Sequence, residues 1–490
     1  MQKDVIIIGS GPGGYIAAIE CAKRNRKVSL IEMGDIGGVC LNYGCMPTKA
    51  LLHSAKEVLS VRNAKERSII SLDDFTINYP KIIQNSREKV LKLQNGVRFL
   101  MKKYNVEIIN AKATFKSKNE VELEINNLEN GNLDKNNLDK ISGKGTITFN
   151  DAIIATGSTP RVLPNILVNG INVHNSKTFL VNEKMPKNVL IIGSGSIGLE
   201  FASFLNALGV NVIIVEALDK VMPQADATIS NTLKRSLQNR GITIHTSSSI
   251  SSFENKNNDI IDVVIKNKKD EEISFKVDMC LVSIGVVPNT KDLGLENANI
   301  LLTERGFIKV NDDMQTSTAN IYAIGDVIGL PTLAHVASRE ALIASASLCS
   351  SSNKCDSECD NKCSNENNTE SKFNKNVIPY GTYSFPQVAS VGLTEEQAKA
   401  QDLPYKSVRI PFSANGKAVV SDEDEGLIKL IYDTETKKIL GCHIIQENAV
   451  ELITEITLAI NNDLTCDDIA KTIHAHPTLS EIIAEVSALF

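Results

Sequence analysis

Two cysteines, Cys40 and Cys45, lie five positions apart, after paired glycines and before a stretch that is predicted to be helical. On a regular helix this spacing would leave them slightly too far apart for a disulfide, whose geometry is narrow. Gly44 allows the backbone to bend between them. A bridge over so short a loop adds little stability, so redox chemistry is the better reason to form one. The spacing is equally compatible with two buried cysteines beside a helix start.

A histidine and a carboxylate near the C-terminus form a second candidate pair. Pro477 biases His476 away from helical conformation, and a helix is predicted to follow, with Thr478 as its cap and Glu481 in its first turn. A histidine held just before a helix, with a carboxylate five residues on, could act as an oriented general base. Considered alone, His476 is more often a surface or structural residue.

The elements that would position these residues begin with a nucleotide-binding pattern at the N-terminus. A short apolar strand, Val5–Ile8, runs into a glycine-rich turn with Gly9, Gly11 and Gly14, then a helix, then a strand ending at Glu32. The first glycine permits a tight turn, and the second lets the backbone approach a pyrophosphate. Glu32 lies where a carboxylate would accept hydrogen bonds from an adenosine ribose. The context predicts a dinucleotide site.

The same pattern occurs a second time. Strand 188–192 is followed by Gly193, Gly195 and Gly198, a helix, and strand 211–215, which ends at Glu216. The acid follows the first glycine by 23 positions in both copies (9 to 32 and 193 to 216). Two dinucleotides are therefore predicted. Glu216 would repel the 2′-phosphate of NADP, and no arginine adjoins it, so NAD is favoured at the second site.

The rest of the chain reads as ordinary globular sequence. Apolar residues at helical spacing predict a helix from about Tyr79 to Tyr104. Later segments predict strands over 427–432 and 439–445 and a helix over 449–461. Residues 126–145 are rich in Asn, Leu, Asp and Lys and indicate a surface insertion.

Composition excludes several classes of protein. The chain has 490 residues, enough for two to four domains, and a net charge of −6 argues against a general nucleic-acid-binding surface. No apolar run approaches the roughly 20 residues that span a bilayer, and the N-terminus lacks the pattern of a signal peptide. Ten cysteines without an export signal indicate a cytoplasmic protein, where a lasting disulfide is more often catalytic than structural.

The motifs together resemble the flavoprotein disulfide reductases, and within that family the branch that oxidises dihydrolipoamide. The resemblance runs nearly end to end. It rests on Gly9–Gly14 with Glu32, Gly37–Lys49, Gly193–Glu200 with Glu216, Ala323–Val327 and His474–Glu481. It implies an α/β fold with two Rossmann-like dinucleotide-binding domains and a C-terminal α+β dimerisation domain. The implied domains are 1–150 and 281–348 for FAD, 151–280 for NAD, and 377–490 for dimerisation.

Carried over by position, the resemblance implies a set of cofactor contacts. The FAD residues would be Gly9, Gly11, Gly14, Glu32, Lys49, Ala113, Thr156, Gly157, Ser158, Asp326, Leu333, Ala334 and His335. The NAD residues would be Gly193, Gly195, Gly198, Glu200, Glu216, Ile250 and Gly285. Lys49 would lie near the flavin and pair with Glu200.

The resemblance also implies a reaction. Cys40 and Cys45 would form a redox-active disulfide, with Cys40 exchanging with dihydrolipoamide and Cys45 lying beside the flavin. His476, oriented by Glu481, would be the base and would serve the disulfide of the other subunit of a homodimer. Electrons would pass through FAD to NAD. The partner would be a lipoyl-bearing protein of a 2-oxoacid dehydrogenase or glycine cleavage complex, with no nucleic acid or membrane involved.

Two rival functions remain at this point. One is another flavoprotein disulfide reductase, similar to glutathione or mercuric reductase. Glu216 opposes the NADP preference of the first, and the C-terminus lacks the cysteine pair of the second. The other is a redox-inactive flavin-binding sensor or scaffold, which the intact Cys40/Cys45 and His476/Glu481 sets argue against.

Residues 349–376 have no counterpart in the resemblance. Four cysteines, Cys349, Cys355, Cys359 and Cys363, stand there among polar and charged residues. Such a composition cannot bury enough apolar area to fold alone, so a flexible insert is predicted. Metal binding by these cysteines is the less favoured alternative because their spacing lacks the two-residue gaps of common zinc sites. No metal is predicted.

Overall fold

The computed structural model describes residues 2–125, 144–329, 331–351 and 374–489. They form two compact units, which are described separately. The first comprises Met1–Pro47, Asn85–Pro160 and Val286–Phe373, and the second comprises Thr48–Gln84, Arg161–Gly285 and Asn374–Phe490, each as far as it is described.

The strands are numbered in chain order. They are β1 (Gln2–Ile8), β2 (Val28–Glu32), β3 (Glu107–Ser117), β4 (Glu120–Ile125), β5 (Lys144–Ile154), β6 (Ser158–Pro160), β7 (Val173–Asn175), β8 (Asn188–Ile192), β9 (Asn211–Val215), β10 (Thr243–His245), β11 (Ser249–Lys256), β12 (Ile260–Lys266), β13 (Glu272–Val277), β14 (Met279–Val282), β15 (Val286–Pro288), β16 (Ile321–Ala323), β17 (Tyr380–Thr382), β18 (Val388–Gly392), β19 (Tyr405–Pro411), β20 (Leu427–Asp433) and β21 (Ile439–Ile445).

The helices are numbered in the same way. They are α1 (Pro12–Lys23), α2 (Gly38–Tyr43), α3 (Cys45–Glu66), α4 (Tyr79–Lys103), α5 (Ser176–Phe179), α6 (Ser196–Ala207), α7 (Ala227–Asn239), α8 (Ala334–Ser351), α9 (Glu395–Ala400), α10 (Gly416–Val420), α11 (Ala449–Asn461), α12 (Cys466–Ala470) and α13 (Glu481–Ser487). Short 3-10 turns occupy Leu295–Ala298, Gly325–Ile328 and Phe412–Ala414.

The first unit is built on a parallel sheet with the strand order β3–β2–β1–β5–β16. The C-terminal part of β3 and the N-terminal part of β5 extend beyond these parallel pairings, and both pair antiparallel with β4. Side chains of β1 alternate between two buried clusters, with Val5 and Ile7 in one and Ile6 and Ile8 in the other. Burial on both faces explains why the strand is a continuous apolar run.

The second unit contains a second parallel sheet and two antiparallel sheets. The parallel sheet has the order β10–β9–β8–β14–β7, and β11–β12–β13 form a three-stranded antiparallel sheet. The C-terminal residues form an antiparallel sheet with the order β17–β18–β21–β20–β19. Helices α11 and α13 cover part of this sheet through Ile453, Ile456, Ile482 and Ile483, which are buried. This mixed arrangement is the α+β organisation predicted for the C-terminal part.

The predicted domain limits can be placed on these elements. The limit at 150/151 lies inside β5, which pairs with β1 over its whole parallel stretch, and the limit at 280/281 lies inside β14 of the second sheet. A strand cannot be divided between two domains without breaking its hydrogen bonds to the neighbouring strand. The boundaries between the two compact units accordingly follow Pro160 and Gly285.

The two predicted insertions lie mostly outside the described residues. Of the surface insertion at 126–145, only Lys144 and Gly145 are described, and both belong to β5. The insert predicted at 349–376 begins too early, because α8 continues to Ser351 and Cys349 is buried in its last turn. Cys355, Cys359 and Cys363, and with them the question of metal binding, fall outside the described residues.

Among the described residues, no helix is both long enough and apolar enough to cross a membrane.

A buried ion pair holds α7 against the C-terminal sheet of the second unit. Lys429 on β20 is 5% exposed, and its Nζ lies 2.8 Å from Asp226 Oδ2 and 2.6 Å from Glu395 Oε2. Asp226 also caps α7 by accepting a hydrogen bond from the Thr228 amide. Burial opposes ionisation of Asp226, but the Lys429 ammonium nevertheless lowers its pKa.

We expect Lys429→Met to destabilise the second unit by about 3 kcal/mol, because removing one partner leaves a buried charge without its counter-charge. Lys438→Met is the matched control, since Lys438 pairs with the exposed Asp463 and such pairs contribute less than about 1 kcal/mol. Thermal unfolding monitored by far-UV circular dichroism would compare the two. An equal decrease in unfolding temperature in the two variants would contradict a larger contribution of the buried pair to stability.

Candidate active site

Cys40 and Cys45 form a disulfide across a break between two helices. Cys40 lies in α2, Gly44 ends that helix, and α3 begins at Cys45. The two Cα atoms are 4.7 Å apart, whereas a continuous helix would separate residues five apart by roughly 9 Å. The bend at Gly44 therefore brings the cysteines together, as the sequence predicts. Both are half-buried, so exposure does not separate their roles.

A buried polar network holds this loop in place. The side-chain nitrogen of Asn42, Nδ2, donates to the carbonyl oxygens of Ile36 and Gly38, each at 3.0 Å. Its side-chain oxygen accepts from Gln94 Nε2 at 2.7 Å, and its backbone carbonyl accepts from Arg87 Nη1 at 2.6 Å. Asn42 is almost fully buried. Because all these donors and acceptors are paired, the loop carrying Cys40 is fixed from both sides.

The loop that carries Cys40 also touches the first glycine turn. A Cβ at Gly38, whose φ is +65°, would lie 2.5 Å from the Cα of Gly11. The Gly37 amide donates to Ser10 Oγ at 2.9 Å. Glycine at position 38 is thus required by backbone conformation and by close approach. The loop that carries Cys40 therefore lies directly against the first glycine turn within the first unit.

The first glycine turn has the shape that a dinucleotide pyrophosphate requires. A Cβ at Gly9 would lie 2.3 Å from the Ala155 carbonyl oxygen, and one at Gly14 would lie 1.9 Å from the Gly9 carbonyl oxygen. A Cβ at Gly11 would meet no protein atom within 4 Å. Gly11 is also the N-cap of α1, and no side chain satisfies the amides there. Free amides beside open space at a helix N-terminus fit a phosphate group.

Glu32 closes the edge of this turn. Its Oε2 accepts from the Ser10 amide at 2.8 Å and from Ser10 Oγ at 2.6 Å, and its Oε1 accepts from the Gly34 amide at 2.8 Å. The carboxylate is held by three donors at the carboxyl end of β2, which is where a ribose would be recognised. Sequence reasoning missed Ser10, which fixes Glu32 and binds the cysteine loop.

Four more predicted FAD residues, Thr156, Gly157, Ser158 and Asp326, lie around the ends of β5 and β6. Thr156 Oγ1 donates to the Asn289 carbonyl at 2.9 Å, and Asn289 Nδ2 donates back to the Thr156 carbonyl at 2.8 Å. Gly157, with φ +69°, faces open space. Ser158 Oγ donates to Asp326 Oδ2 at 2.6 Å, while burial raises the pKa of Asp326. The structure thus joins Ser158 and Asp326 directly.

The remaining predicted FAD residues in this unit are placed as follows. Leu333 and Ala334 are half-buried at the start of α8, and His335 is exposed. Ala113 is buried on β3, opposite Leu123, and its methyl group belongs to the core. Because this side chain is packed in the core, only the backbone of Ala113 is available to a ligand.

The second glycine turn repeats the first. A Cβ at Gly193, whose φ is +99°, would lie 2.5 Å from the Ser283 carbonyl oxygen, and one at Gly198 would lie 2.2 Å from the Gly193 carbonyl oxygen. A Cβ at Gly195 would meet nothing within 4 Å, and Gly195 caps α6 without a side-chain contact. The open space and free amides again fit a pyrophosphate.

Glu216 is held like Glu32. Its Oε2 accepts from the Ser194 amide and Oγ, both at 2.8 Å, and its Oε1 accepts from the Leu218 amide at 2.9 Å. Ser194 is the counterpart of Ser10, and a serine after the first glycine of both motifs was the signal available in the sequence. Of the other predicted NAD residues, Ile250 is half-buried on β11, and Gly285, with φ +98°, is exposed.

Lys49 and Glu200 are paired, as predicted. Lys49 Nζ lies 2.7 Å and 2.8 Å from the two oxygens of Glu200, which is 5% exposed. The Tyr383 amide donates to Glu200 Oε1 at 3.0 Å, and the Lys49 ammonium lies 4.5 Å from the centre of the Tyr383 ring. Tyr383 was missed because its contact with Lys49 joins residues more than 300 positions apart.

His476 and Glu481 are also paired. His476 Nδ1 lies 2.8 Å from Glu481 Oε1, and the Thr478 amide donates to Glu481 Oε2 at 2.8 Å. His476 is 80% exposed and Glu481 24%. The hydrogen bonds from Thr478 and His476 lower the pKa of Glu481. The predicted cap was wrong: α13 begins at Glu481 after Ser480, and Thr478 instead binds Glu481 through its amide.

Among the described residues, no group of three or more His, Cys, Asp or Glu side chains could hold a metal ion.

Comparison with known proteins decides the family. Residues 3–341 match the model for pyridine nucleotide-disulphide oxidoreductases, and residues 378–487 match the model for the dimerisation domain of the same family. The chain belongs to the pyridine nucleotide-disulphide oxidoreductase family. The predictions of this family, of its fold class and of FAD and NAD as cofactors are confirmed.

Similar sequences come from several bacteria. The chain is 36% identical to a dihydrolipoyl dehydrogenase of Corynebacterium glutamicum over 490 residues, covering 99% of this chain and 97% of that protein. It is 36% identical to a dihydrolipoyl dehydrogenase of Rhizobium etli, covering 98% and 96%. It is 35% identical to one of Bacillus subtilis, covering 99% and 96%.

Solved structures show the same fold. LpdA of Mycobacterium tuberculosis superposes with a TM-score of 0.84 at 23% identity, covering 99% of both chains. The HOCl-induced flavoprotein disulfide reductase RclA of Escherichia coli, as a Cu(II) complex, superposes with a TM-score of 0.82 at 26% identity, covering 100% of this chain and 99% of that one.

The glycine turns yield a direct test of the first cofactor site. We expect Gly11→Ala to fold normally, because the new methyl group would meet no protein atom. The methyl group would instead occupy the space proposed for the pyrophosphate and weaken FAD binding by roughly tenfold or more, about 1.4 kcal/mol. Gly14→Ala is the contrasting variant and should lose about 3 kcal/mol of stability through overpacking. Flavin absorbance after gel filtration and thermal unfolding would measure both. A Gly11→Ala protein that retains FAD like the wild type would rule out this turn as the pyrophosphate site.

Proposed function

We propose that this chain is an NAD-dependent dihydrolipoyl dehydrogenase, which oxidises protein-bound dihydrolipoamide to lipoamide and reduces NAD to NADH with release of a proton. The observation that carries the proposal is the Cys40–Cys45 disulfide, which is joined through Gly38 to the glycine turn of the first nucleotide site. The identity of about 36% to dihydrolipoyl dehydrogenases over nearly the whole chain supports the choice of substrate.

The cysteine pair would accept the electrons of the substrate in two exchange steps. A thiolate of dihydrolipoamide attacks Cys40, breaks the Cys40–Cys45 bond and forms a mixed disulfide. The second substrate thiolate then attacks the substrate sulfur that is bonded to Cys40. This step closes the ring of lipoamide, releases Cys40 as a thiolate and leaves both cysteines reduced. When bound, FAD and NAD carry the electron pair away as a hydride. Both cysteines are half-buried, so neither is sealed in the core of the protein.

His476 would supply the base, because only the thiolate form of the substrate is nucleophilic. Its Nδ1 faces Glu481, which leaves Nε2 to take a proton from the dithiol. Glu481 keeps its negative charge because its pKa is lowered, and it therefore stabilises the protonated imidazole. The Thr478 amide fixes the second carboxylate oxygen, so that the imidazole is held in one orientation.

The Glu200–Lys49 pair and the acids of the two glycine turns would contact different parts of the two cofactors. Lys49 would lie near the flavin, and Glu200 fixes the ammonium through both carboxylate oxygens. Glu32 would bind the adenosine ribose of FAD, and Glu216 that of NAD. A buried carboxylate at Glu216 would repel the extra phosphate of NADP.

We further propose that the active form is a homodimer in which His476 of each subunit serves the disulfide of the other. The match of residues 378–487 to the family's dimerisation domain supports this arrangement. The exposure of the His476 side chain in the single chain is consistent with a base that completes its site only on assembly. The partner would be a lipoyl-bearing protein of a 2-oxoacid dehydrogenase or glycine cleavage complex, and the protein would act in the cytoplasm.

A substrate panel tests the proposed activity. We expect the purified protein to reduce NAD with dihydrolipoamide and to turn over glutathione disulfide and thioredoxin poorly with either nicotinamide. Cys45→Ser should abolish dihydrolipoamide oxidation while FAD stays bound, because the disulfide can no longer form. Faster turnover of glutathione disulfide with NADPH than of dihydrolipoamide with NAD would instead identify a glutathione-reductase-like enzyme.

The role of His476 can be separated from electron transfer. We expect His476→Gln to slow dihydrolipoamide oxidation by roughly 10²–10⁴-fold, the usual contribution of a general base. Reduction of an artificial dye by NADH should stay near the wild-type rate, because it needs no proton transfer from a dithiol. His474→Gln is the matched control: His474 lies two residues away and pairs with Glu455. Equal loss of both activities in His476→Gln would contradict a proton-transfer role.

A further inference from the structure

Helix α6, which begins at the second glycine turn, is bound along one face by residues 382–385 of the same unit. Positions 196, 200 and 203 of the helix share that face, because they are four and three residues apart. Three hydrogen bonds hold the segment there: Ser196 Oγ with Thr382 Oγ1 at 2.6 Å, Glu200 Oε1 with the Tyr383 amide at 3.0 Å, and Ser203 Oγ with the Phe385 amide at 3.1 Å. The segment therefore follows α6 from its first residue onward.

The first of these contacts joins a buried hydroxyl to an exposed one. Thr382 is the last residue of β17 and is 1% exposed, whereas Ser196 is the first residue of α6 and is exposed. A buried hydroxyl needs a hydrogen-bond partner, so the Thr382 side chain favours this contact. The hydroxyl of Ser196 is therefore held against β17.

The position of Ser196 matters because its hydroxyl lies at the start of a helix. Serine side chains readily bond to nearby backbone amides and so compete with other partners of those amides. Helix α6 begins at Gly195, and no side-chain hydrogen bond caps it among the residues that the structure describes. The amides of this first turn are the groups predicted to bind the pyrophosphate of NAD. A Ser196 hydroxyl released from Thr382 would be able to occupy them.

The first glycine turn has no such competitor. The residue that follows its middle glycine, Gly11, is Pro12 at the first position of α1. Proline carries neither a hydroxyl nor an amide hydrogen and suits the first turn of a helix. The corresponding residue of the second turn is Ser196, and the contact with Thr382 engages its hydroxyl.

We propose that Thr382 is a positioning residue for NAD binding: it holds the Ser196 hydroxyl away from the first-turn amides of α6 and keeps them open to the pyrophosphate. The inference rests on the proposed function, because it takes the second glycine turn as the NAD site. It adds that a residue of the C-terminal sheet sets the affinity for NAD without touching the cofactor.

Calorimetric titration of NAD into the full-length, oxidised, FAD-bound protein tests the proposal without turnover. We expect Thr382→Val to weaken NAD binding by roughly two- to tenfold, the effect of one ordinary hydrogen bond. Valine keeps the branched shape of threonine, and the released Ser196 hydroxyl is exposed, so the variant should fold. Thr382→Ser retains a hydroxyl and should bind NAD like the wild type.

Ser384→Ala is the matched control for the loss of a buried hydroxyl. Ser384 belongs to the same segment and is fully buried, but its Oγ donates to the Pro386 carbonyl at 2.7 Å rather than to α6. We therefore expect Ser384→Ala to leave the affinity for NAD unchanged. A loss of NAD affinity in Ser384→Ala equal to that in Thr382→Val would contradict a specific role of Thr382.

A double-mutant cycle separates competition by the hydroxyl from a general disturbance of the turn. Ser196→Ala has no hydroxyl to release and should bind NAD at least as tightly as the wild type. Adding Thr382→Val to Ser196→Ala should then cause no further loss, so the two substitutions are not additive. An equal loss from Thr382→Val in both backgrounds would overturn the proposal.

Steady-state kinetics give a second readout. In Thr382→Val, the KM for NAD should rise by the same factor as the dissociation constant, while kcat and the KM for dihydrolipoamide stay at wild-type values. Unchanged or tighter NAD binding in Thr382→Val would overturn the inference and leave the proposed function intact. A wild-type protein that binds no NAD would overturn the proposed function and the inference together.

Discussion

The contact between Gly38 and Gly11 is the constraint on which the redox site depends. Only glycine at position 38 lets the loop of Cys40 rest on the backbone of the first nucleotide-binding turn. Ser10 strengthens the contact because its hydroxyl accepts from the Gly37 amide and donates to Glu32. One serine therefore links the cysteine loop, the glycine turn and Glu32, the acid predicted to bind the ribose. Electron transfer would need the disulfide and the flavin to be held together, and this short chain of contacts would hold the disulfide beside the proposed FAD turn.

The second nucleotide turn shows which of these features belong to nucleotide binding and which to redox chemistry. Ser194 and Glu216 reproduce the contacts of Ser10 and Glu32 almost atom for atom. The two turns differ in their neighbours: Gly38 of the cysteine loop lies against Gly11 in the first, whereas Ser196 Oγ in the second lies 2.6 Å from Thr382 Oγ1. The acid, serine and glycines are therefore common to both turns, as expected of two dinucleotide sites, and the contact with the cysteine loop belongs to the first turn.

The sequence predicted the local elements well because they depend on neighbouring residues. Strand 188–192, strand 439–445 and helix 449–461 have the predicted ends, and the glycine turns and their acids lie where the motif requires. Contacts between distant residues were not predictable in this way. Asn42 with Gln94, and Tyr383 with Lys49, depend on packing that no local pattern encodes. The cap of α13 was misplaced because Thr478 binds Glu481 by its amide, which any residue but proline could supply.

The two cysteine pairs of the first unit illustrate how the surroundings of a sulfur decide its chemistry. Cys40 and Cys45 are half-buried at a helix break, where the bend at Gly44 brings their Cα atoms to 4.7 Å. Cys21 and Cys349 are buried in an apolar core cluster of the same unit and remain free thiols. The same residue type thus forms a disulfide at a helix break and packs as a small apolar side chain in the core.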